Sequence, residues 1–171
     1  RPSHSCTTER INRPRTMHPS PDTAAHWDEV FRTKPVDATS WYRPHLDRSL
    51  EIIDALRLPA DAHIIDVGCG ASTLIADLLA RGFRNLTGLD IARTAIDIAR
   101  AAIPGSPDSV RWIAADVLAA DLPEHTFDLW HDRAAFHFLT NPADRAAYAA
   151  QAARALKPTG ALLISAFAPD G

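Results

Sequence analysis

Cysteine is scarce in this chain, and its scarcity excludes several classes of protein. Only Cys6 and Cys69 occur among 171 residues, and they lie in quite different sequence settings. Two such cysteines do not make a disulfide framework, and no Cys/His spacing indicates a zinc site. A cytoplasmic protein without a metal ion is therefore expected.

Long apolar runs are also missing. No uninterrupted run reaches the roughly 20 residues that a membrane-spanning helix requires, so no membrane partner is predicted. Hydrophobic residues nevertheless make up 46% of the chain, which is enough to build a core. The length fits about one domain, and the charged fraction of 23% is close to the average for globular proteins.

The beginning of the chain differs from the rest in charge and pattern. Residues 1–16 carry four arginines and one glutamate, show no apolar periodicity, and precede Met17, which is the only methionine. We interpret residues 1–19 as a disordered or non-native leader. Without the +3 of residues 1–16, the charge of the chain changes from −3 to −6. An acidic body disfavours nucleic acid as a partner, because binding phosphates requires Lys and Arg.

Apolar runs and helical patterns alternate in the remainder. An arm over residues 20–44 is rich in proline and aromatic residues, and a domain over residues 45–171 follows. Helical spacing predicts helices at His45–Leu58, Ser72–Ala80, Ala92–Ala102 and Ala143–Leu156. Apolar runs predict strands at His63–Val67, Asn85–Leu89, Val110–Ala114, Phe127–His131 and Ala161–Phe167. This alternation predicts an α/β fold with a mostly parallel sheet, whose ligands bind beyond the carboxyl ends of the strands.

The loop after the first predicted strand has the composition of a ligand-binding turn. Gly68 and Gly70 allow a sharp turn and a close approach of the backbone to a ligand. Thr73 stands where a dinucleotide-binding fingerprint needs its last glycine, so that fingerprint fails. Asp66, two residues before the first glycine, suits a ligand with an ammonium group better than a pyrophosphate. A tight strand-to-helix turn alone would explain the glycines but not Asp66.

Two further aspartates follow the next two predicted strands. Asp90 can accept hydrogen bonds from ribose hydroxyls, although it can equally cap the following helix. Asp116 can accept a hydrogen bond from an adenine amine while Val117 donates its backbone N–H, although a lone Asp after a strand is usually a turn residue. A ligand-binding role for these aspartates is favoured because three successive predicted strands each end in an aspartate.

These segments together resemble the class I S-adenosylmethionine-dependent methyltransferases. The resemblance covers roughly residues 45–167 and rests on DVGCGAST, GLD, AAD, FDLWHDRAAFHFL and ALKPTGALLISAF. It implies a Rossmann-like three-layer sandwich and S-adenosyl-L-methionine as the cofactor. The cofactor-binding residues that it implies, from the methionine part to the adenine, are Asp66, Gly68, Cys69, Gly70, Asp90, Ile91, Asp116 and Val117. Ser72 departs from the third glycine of many members, and a small residue is expected to be tolerated there.

The arm resembles the leader of a subgroup that includes some protein-lysine methyltransferases. This resemblance rests on HWDEVF, which begins at His26, and on SWY, which begins at Ser40. It nominates Trp27, Phe31 and Trp41 as aromatic residues that close over the cofactor, where a sulfonium cation would lie beside their faces. The alternative is that these aromatic residues only fix the arm to the core.

The end of the fourth predicted strand supplies the acceptor-side candidates. His131 or Asp132 can position the methyl acceptor or remove its proton, and His131 is also a candidate cofactor contact. Arg133 is expected to pair with a carboxylate, and His137 to be an ordinary histidine on a helix face. No catalytic dyad is expected, because methyl transfer depends mainly on alignment and the exclusion of water.

The acceptor itself stays open between a small molecule and a protein side chain. Alternatives are a module that binds the cofactor without turnover and, less favoured, an NAD-dependent oxidoreductase. The family usually continues with two further strands, so we interpret the chain as C-terminally truncated. The apolar segment Ala161–Phe167 would then form an exposed edge, which predicts marginal stability or dimerisation.

Overall fold

A computed structural model gives the fold and describes residues 21–71, 73–103 and 110–166. Predictions for residues 1–19, Ser72 and Phe167 lie outside these residues. The helices are α1 (Pro21–Thr33), α2 (Asp47–Leu56), α3 (Leu74–Ala80), α4 (Arg93–Ala101) and α5 (Pro142–Ala155). The strands are β1 (His63–Val67), β2 (Asn85–Asp90), β3 (Val110–Ala114), β4 (Phe127–Arg133) and β5 (Leu156–Ser165). Short 3-10 turns lie at Val36–Ala38 and Phe136–Phe138.

The five strands form one parallel sheet in the order β3-β2-β1-β4-β5. The chain builds outward from β1 through β2 to β3 and then returns to place β4 on the other side of β1. The direction of strand order therefore changes between β1 and β4, where ligands of open α/β sheets bind. The predicted α/β class with a parallel sheet is confirmed.

Two hydrophobic clusters lie on opposite faces of the sheet and give the molecule three layers. Neighbouring residues of β1 separate between them, because successive side chains of a strand point to opposite faces. Ile64 packs with Leu50 of α2 and Leu78 of α3, whereas Ile65 packs with Tyr148 of α5. All four strand residues that follow His63 are buried, as expected for a central parallel strand.

The predicted bounds of β1 and β3 match the structure. β4 extends two residues beyond the prediction, and β5 begins at Leu156, inside the range predicted as helix. The arm contains helix α1, which the sequence analysis did not predict. Asp28 on α1 accepts a hydrogen bond of 2.8 Å from the backbone N–H of Thr94 in the first turn of α4. A carboxylate at this helix N-terminus stabilises the docking of the arm.

Strand β5 lies at the edge of the sheet, as the sequence analysis expected. Its side chains Leu162 and Ile164 are 51% and 36% exposed. The predicted dimerisation or marginal stability stays a prediction. None of the described helices combines the length and apolar character needed to cross a membrane.

A buried hydrogen-bond network joins β4 to α5. The indole N–H of Trp130 donates to the Tyr148 hydroxyl at 2.8 Å, and that hydroxyl donates to Asp132 Oδ2 at 2.5 Å. All three side chains are at most 1% exposed. A hydroxyl that serves as both donor and acceptor inside the core satisfies two neighbours that water cannot reach.

We predict that Tyr148→Phe lowers the free energy of unfolding by about 1–3 kcal/mol, because it leaves the Trp130 N–H and one Asp132 oxygen without this partner. Urea denaturation measures the change, with Tyr42→Phe as the control. The Tyr42 hydroxyl makes no hydrogen bond to the described residues, so its loss is expected to cost below about 0.5 kcal/mol. Equal costs for the two variants would show that the network does not stabilise the fold.

Candidate functional site

A cavity of about 450 Å³ lies at the carboxyl ends of β1, β2 and β3, a size that suits a small organic ligand. It brings together ten of the eleven predicted cofactor-binding residues: Trp27, Trp41, Asp66, Gly68, Cys69, Gly70, Asp90, Ile91, Asp116 and Val117. The eleventh, His131, lies behind the cavity wall. The convergence follows from the parallel sheet, because the ends of neighbouring parallel strands meet at one edge.

The loop after β1 depends on its two glycines. Gly68 has a φ of +65° and Gly70 a φ of +52°, a left-handed conformation that other residues adopt at a cost. A Cβ on Gly68 would lie 2.5 Å from Cβ of Ala135, and one on Gly70 would lie 3.3 Å from Cζ of Phe31. The glycines therefore let the loop pass between the turn after β4 and the arm helix.

Asp90 fastens this loop from the end of β2. Its Oδ2 accepts from the backbone N–H of Gly70 and its Oδ1 from that of Ala92, both at 2.8 Å. Burial raises the pKa of Asp90 to about 6, and these two hydrogen bonds oppose the rise. The alternative that Asp90 serves the following helix is therefore correct in part, since Ala92 precedes α4. The same carboxylate lines the cavity, so the two roles coexist.

Asp66 is held by a line of buried polar groups. It stands opposite His131 in the β1–β4 pairing, and its Oδ1 lies 2.7 Å from His131 Nδ1. The other ring nitrogen of His131 lies 2.9 Å from Ser49 Oγ on α2. Asp66 Oδ2 is buried and has no hydrogen-bond partner among the described residues. An unpaired buried carboxylate oxygen is unfavourable, so this site is suited to a ligand that brings a donor.

Asp116 and Val117 lie at the far end of the cavity, after β3. Asp116 Oδ1 accepts from the backbone N–H of Leu118 at 2.9 Å, which is the turn role that the sequence left open. Burial raises the pKa of this half-buried carboxyl group, and the bond from Leu118 opposes the rise. Both residues also line the cavity, so their predicted adenine contacts stay possible and stay predictions.

The structure places the predicted catalytic residues His131 and Asp132 outside the cavity. Both side chains are 0% exposed, and neither lines the cavity. His131 faces Asp66, while Asp132 faces the opposite side, as successive strand residues must. Asp132 Oδ1 accepts from the backbone N–H of Ala135 at 2.8 Å and so holds the turn after β4. Neither residue is placed to contact an acceptor, and we assign positioning roles to both.

Arg133 forms no salt bridge within the described part of the chain, so its expected pairing with a carboxylate stays a prediction. Its Nη1 donates instead to the backbone carbonyl of Trp41, at 2.9 Å. Arg133 lines the cavity, as does His137 in the neighbouring 3-10 turn. The bond to Trp41 ties the arm to the turn after β4 across the cavity.

All three aromatic residues nominated in the arm line the cavity, which leaves both predicted roles open. Phe31 is 9% exposed and also packs against Ala92 and Ala95, so it fixes the arm to the core. Trp27 and Trp41 are half-buried in the cavity wall, with ring centroids 6.0 Å apart. The ring of Phe138, 55% exposed, lies 5.0 Å from that of Trp27. These contacts close one side of the cavity with aromatic rings.

Sequence reasoning missed Arg43 and Phe138, which both line the cavity. Arg43 follows the SWY segment directly, and Phe138 lies within the quoted FDLWHDRAAFHFL segment, so their position at or inside these motifs was the available signal. Among residues 21–71, 73–103 and 110–166, no three His, Cys, Asp or Glu side chains are arranged to hold a metal ion.

Comparison with known proteins gives the family context of this site. A family model described as a methyltransferase domain matches residues 64–160. Human EEF1A lysine methyltransferase 2 is 26% identical over 157 residues, which cover 84% of this chain and 66% of the human protein. The chain thus spans slightly less than two thirds of this relative.

Solved structures share the fold over most of this chain. The S-adenosylmethionine-bound structure of CalS10, an amino pentose methyltransferase from Micromonospora echinaspora, is 28% identical with a TM-score of 0.62. That match covers 85% of this chain and 58% of CalS10. A structure from echinomycin biosynthesis has a TM-score of 0.68 at 24% identity, with 83% and 59% coverage, and supports the fold alone.

We predict that Gly68→Ala destabilises the protein more than Gly82→Ala does. Both positions have a positive φ, but a Cβ on Gly82, at φ +91°, would meet no atom within 4 Å. Gly82→Ala therefore measures the backbone strain alone, about 1–2 kcal/mol. Gly68→Ala should lose a further 1–3 kcal/mol, roughly, from the clash with Ala135.

Urea denaturation of the two variants and of the double variant Gly68→Ala/Ala135→Gly measures these costs. The double variant removes the clashing methyl group, and it is expected to regain part of the loss after allowance for its new glycine. If Gly68→Ala were no more costly than Gly82→Ala, the close packing of this loop against the turn after β4 would be disproved.

Proposed function

The chain belongs to the class I S-adenosylmethionine-dependent methyltransferase family, and from that premise we propose that it transfers a methyl group from S-adenosyl-L-methionine to a small molecule or a protein side chain. Both acceptor classes occur among the similar proteins, as the names lysine methyltransferase and amino pentose methyltransferase state. Family membership leaves the acceptor open. The observation that carries the cofactor assignment is the unpaired carboxylate oxygen of Asp66 beside the glycine loop.

The residues of the cavity fit this cofactor. Asp66 offers a buried oxygen without a donor, which matches the ammonium group of the methionine part. The backbone at Gly68 and Gly70 is free of the Cβ atoms that would crowd the loop. Asp90 retains acceptor capacity for ribose hydroxyls, since each carboxylate oxygen has two lone pairs and accepts one backbone bond. Asp116 and Val117 are the proposed adenine contacts.

The chain's own contribution to the reaction is alignment and the exclusion of water. When bound, S-adenosylmethionine supplies a methyl group bonded to a positively charged sulfur. That sulfur is a good leaving group, because it departs as a neutral thioether. Trp27 and Trp41 cover one side of the cavity, and their faces suit a neighbouring cation. Holding two reacting groups in line is equivalent to an effective concentration of about 10⁵ M or more, so no dedicated base is required.

His131 and Asp132 act in this proposal through the groups that they hold. His131 fixes the position of Asp66 from the neighbouring strand, with Ser49 at its other nitrogen. Asp132 fixes the turn after β4, which carries the cavity residues Ala134 and Ala135. Burial raises the pKa of Asp132, opposed by the hydrogen bonds from Tyr148 and the turn.

The proposal also covers where the protein is located and whether it catalyses methyl transfer. A cytoplasmic location rests only on the sparse cysteine content of the sequence. A module that binds the cofactor without turnover is distinguished from an enzyme by incubation with methyl-labelled S-adenosylmethionine and a panel of amines, thiols and proteins. Label in any acceptor identifies an enzyme, and its absence in the presence of tight binding favours the module.

We predict micromolar binding of S-adenosylhomocysteine to the wild-type chain, weakened at least about tenfold by Asp90→Asn. The substitution keeps the shape of the side chain but removes its charge and one acceptor oxygen. Isothermal titration calorimetry measures both dissociation constants. Asp97→Asn, on the exposed side of α4, is the control and is expected to leave the affinity within about twofold.

The affinity should also depend on pH in a direction set by Asp90. Since its pKa is about 6 in the free protein, a proton competes with the ligand hydroxyls below that pH. Binding is therefore expected to be strong above about pH 7 and to weaken towards tenfold per pH unit below about pH 6. Asp90→Asn should abolish this dependence. A folded wild-type chain that binds nothing, or binds equally well after Asp90→Asn, would contradict the cofactor assignment.

A further inference from the structure

Four basic side chains gather around a second, smaller cavity beside the first. This basic pocket, of about 270 Å³, is lined by Arg43, His45, Arg48 and Arg133, and its one acidic residue is Asp47. Four basic residues around one pocket are unexpected in a chain whose formal net charge is −3. It indicates that the pocket has a different ligand preference from the carboxylate-lined end of the large cavity.

Two of the four basic residues form no salt bridge to a carboxylate among the described residues. His45 lies 3.0 Å from Asp77, and Arg48 lies 3.0 Å from Glu51. By contrast, Arg43 donates only to backbone carbonyls, those of Tyr42 at 2.6 Å and Ser40 at 3.3 Å. Arg133 likewise donates only to the carbonyl of Trp41.

Arg43 and Arg133 also repel each other. Burial lowers the pKa of Arg133, the positive charge of Arg43 lowers it further, and the negative charge of Asp66 opposes the fall. Arg43 and Arg133 are therefore close enough to interact, and an anion bound between them would relieve their repulsion. Guanidinium groups bind carboxylate and phosphate oxygens through paired, charge-assisted hydrogen bonds.

The two arginines lie where the cavities adjoin, because both residues line both of them. The part of the large cavity at the ends of β2 and β3 is lined by Asp90 and Asp116, which repel an anionic group. The basic pocket also includes Leu163 and Ser165 of β5, so it extends from the turn after β4 towards the sheet edge. A ligand group that enters there approaches the methionine end of the cofactor site, near Asp66, and not its adenine end.

We propose that the methyl acceptor is a small molecule with a carboxylate or phosphate group, which Arg43 and Arg133 bind at the junction of the two cavities. This inference rests on the proposed methyl transfer and adds the chemical class of the acceptor. The competing source of an anion is the carboxylate of the cofactor itself. That carboxylate carries one negative charge, whereas the two arginines carry two positive charges.

The first experiment titrates inorganic phosphate, with acetate as a second probe, into the protein saturated with S-adenosylhomocysteine. Ionic strength is kept constant with chloride, because salt screens exposed charges. Saturable phosphate binding is expected, weakened at least about fivefold by Arg43→Gln. Arg84→Gln is the matched control, since Arg84 is exposed, lines neither cavity and has no ion pair within the described residues.

The dissociation constant of S-adenosylhomocysteine for Arg43→Gln is measured in parallel. It should stay within about threefold of wild type, which also shows that the variant is folded. A tenfold loss of S-adenosylhomocysteine affinity with unchanged phosphate binding would assign the arginines to the cofactor and overturn the proposal. Equal phosphate binding by Arg43→Gln and Arg84→Gln would overturn it as well. If wild type bound phosphate but not S-adenosylhomocysteine, the proposed function would fail while the anion site stood.

The second experiment identifies the anion with the acceptor. Candidate acceptors are offered in pairs that differ only in a carboxylate or its carboxamide, with methyl-labelled S-adenosylmethionine. Preferential turnover of the carboxylate member, with a raised KM in Arg43→Gln, supports the proposal. Equal turnover of both members by wild type would overturn it.

Discussion

The pairing of Asp66 with His131 across the two central strands is the interaction on which the site depends. These strands flank the point where strand order reverses, and the two residues are in register there. The histidine satisfies one oxygen of a buried carboxylate and reaches Ser49 on α2 with its other nitrogen. This row of buried hydrogen bonds therefore fixes β1, β4, α2 and the cavity residue Asp66 relative to one another. Buried hydrogen-bond networks of this kind give a site a defined geometry.

Asp132, the residue next to His131, anchors strand β4 on the opposite face of the sheet. Asp132 is hydrogen-bonded to Tyr148 below and to the turn after β4 above. The turn packs Ala135 against Gly68, and Arg133 at the end of β4 holds the arm at Trp41. Strand β4 and the turn after it thus position the glycine loop and the aromatic arm. The shape of the cavity therefore depends on the hydrogen bonds that anchor this strand on both faces of the sheet.

Burying carboxylates at the strand ends carries a cost that depends on pH. The pKa of Asp90 rises from its ordinary 3.8 to about 6 in the folded protein. The folded state therefore holds the proton more tightly than the unfolded chain, and the stability contributed by Asp90 falls as pH rises through this window. Above it, the ionised carboxylate is retained at the expense of stability. A ligand that donates hydrogen bonds to this group offsets the cost, as is common at functional sites.

The sequence predicted the parts of the fold that depend on local pattern. Strands β1 and β3 and the positions of Asp66, Asp90 and Asp116 at strand ends follow from apolar runs and their flanking residues. The roles of His131, Asp132 and Arg133 could not be predicted, because they depend on which face of β4 each side chain occupies and on partners far along the chain. Asp66 and His131, for example, are 65 residues apart. The arm helix was missed because docking onto α4, through Asp28, stabilises it more than its own sequence pattern does.

Cofactor recognition depends most on the unpaired oxygen of Asp66. A comparison of ligands with and without an amino-acid part tests this role. Calorimetry would compare S-adenosylhomocysteine with 5′-methylthioadenosine, which lacks the amino-acid part, on wild type and Asp66→Asn. If Asp66 receives the ammonium group, the substitution weakens S-adenosylhomocysteine at least about tenfold and changes 5′-methylthioadenosine less than about twofold. An equal loss for both ligands, or no loss for either, would contradict the role of the Asp66–His131 pair.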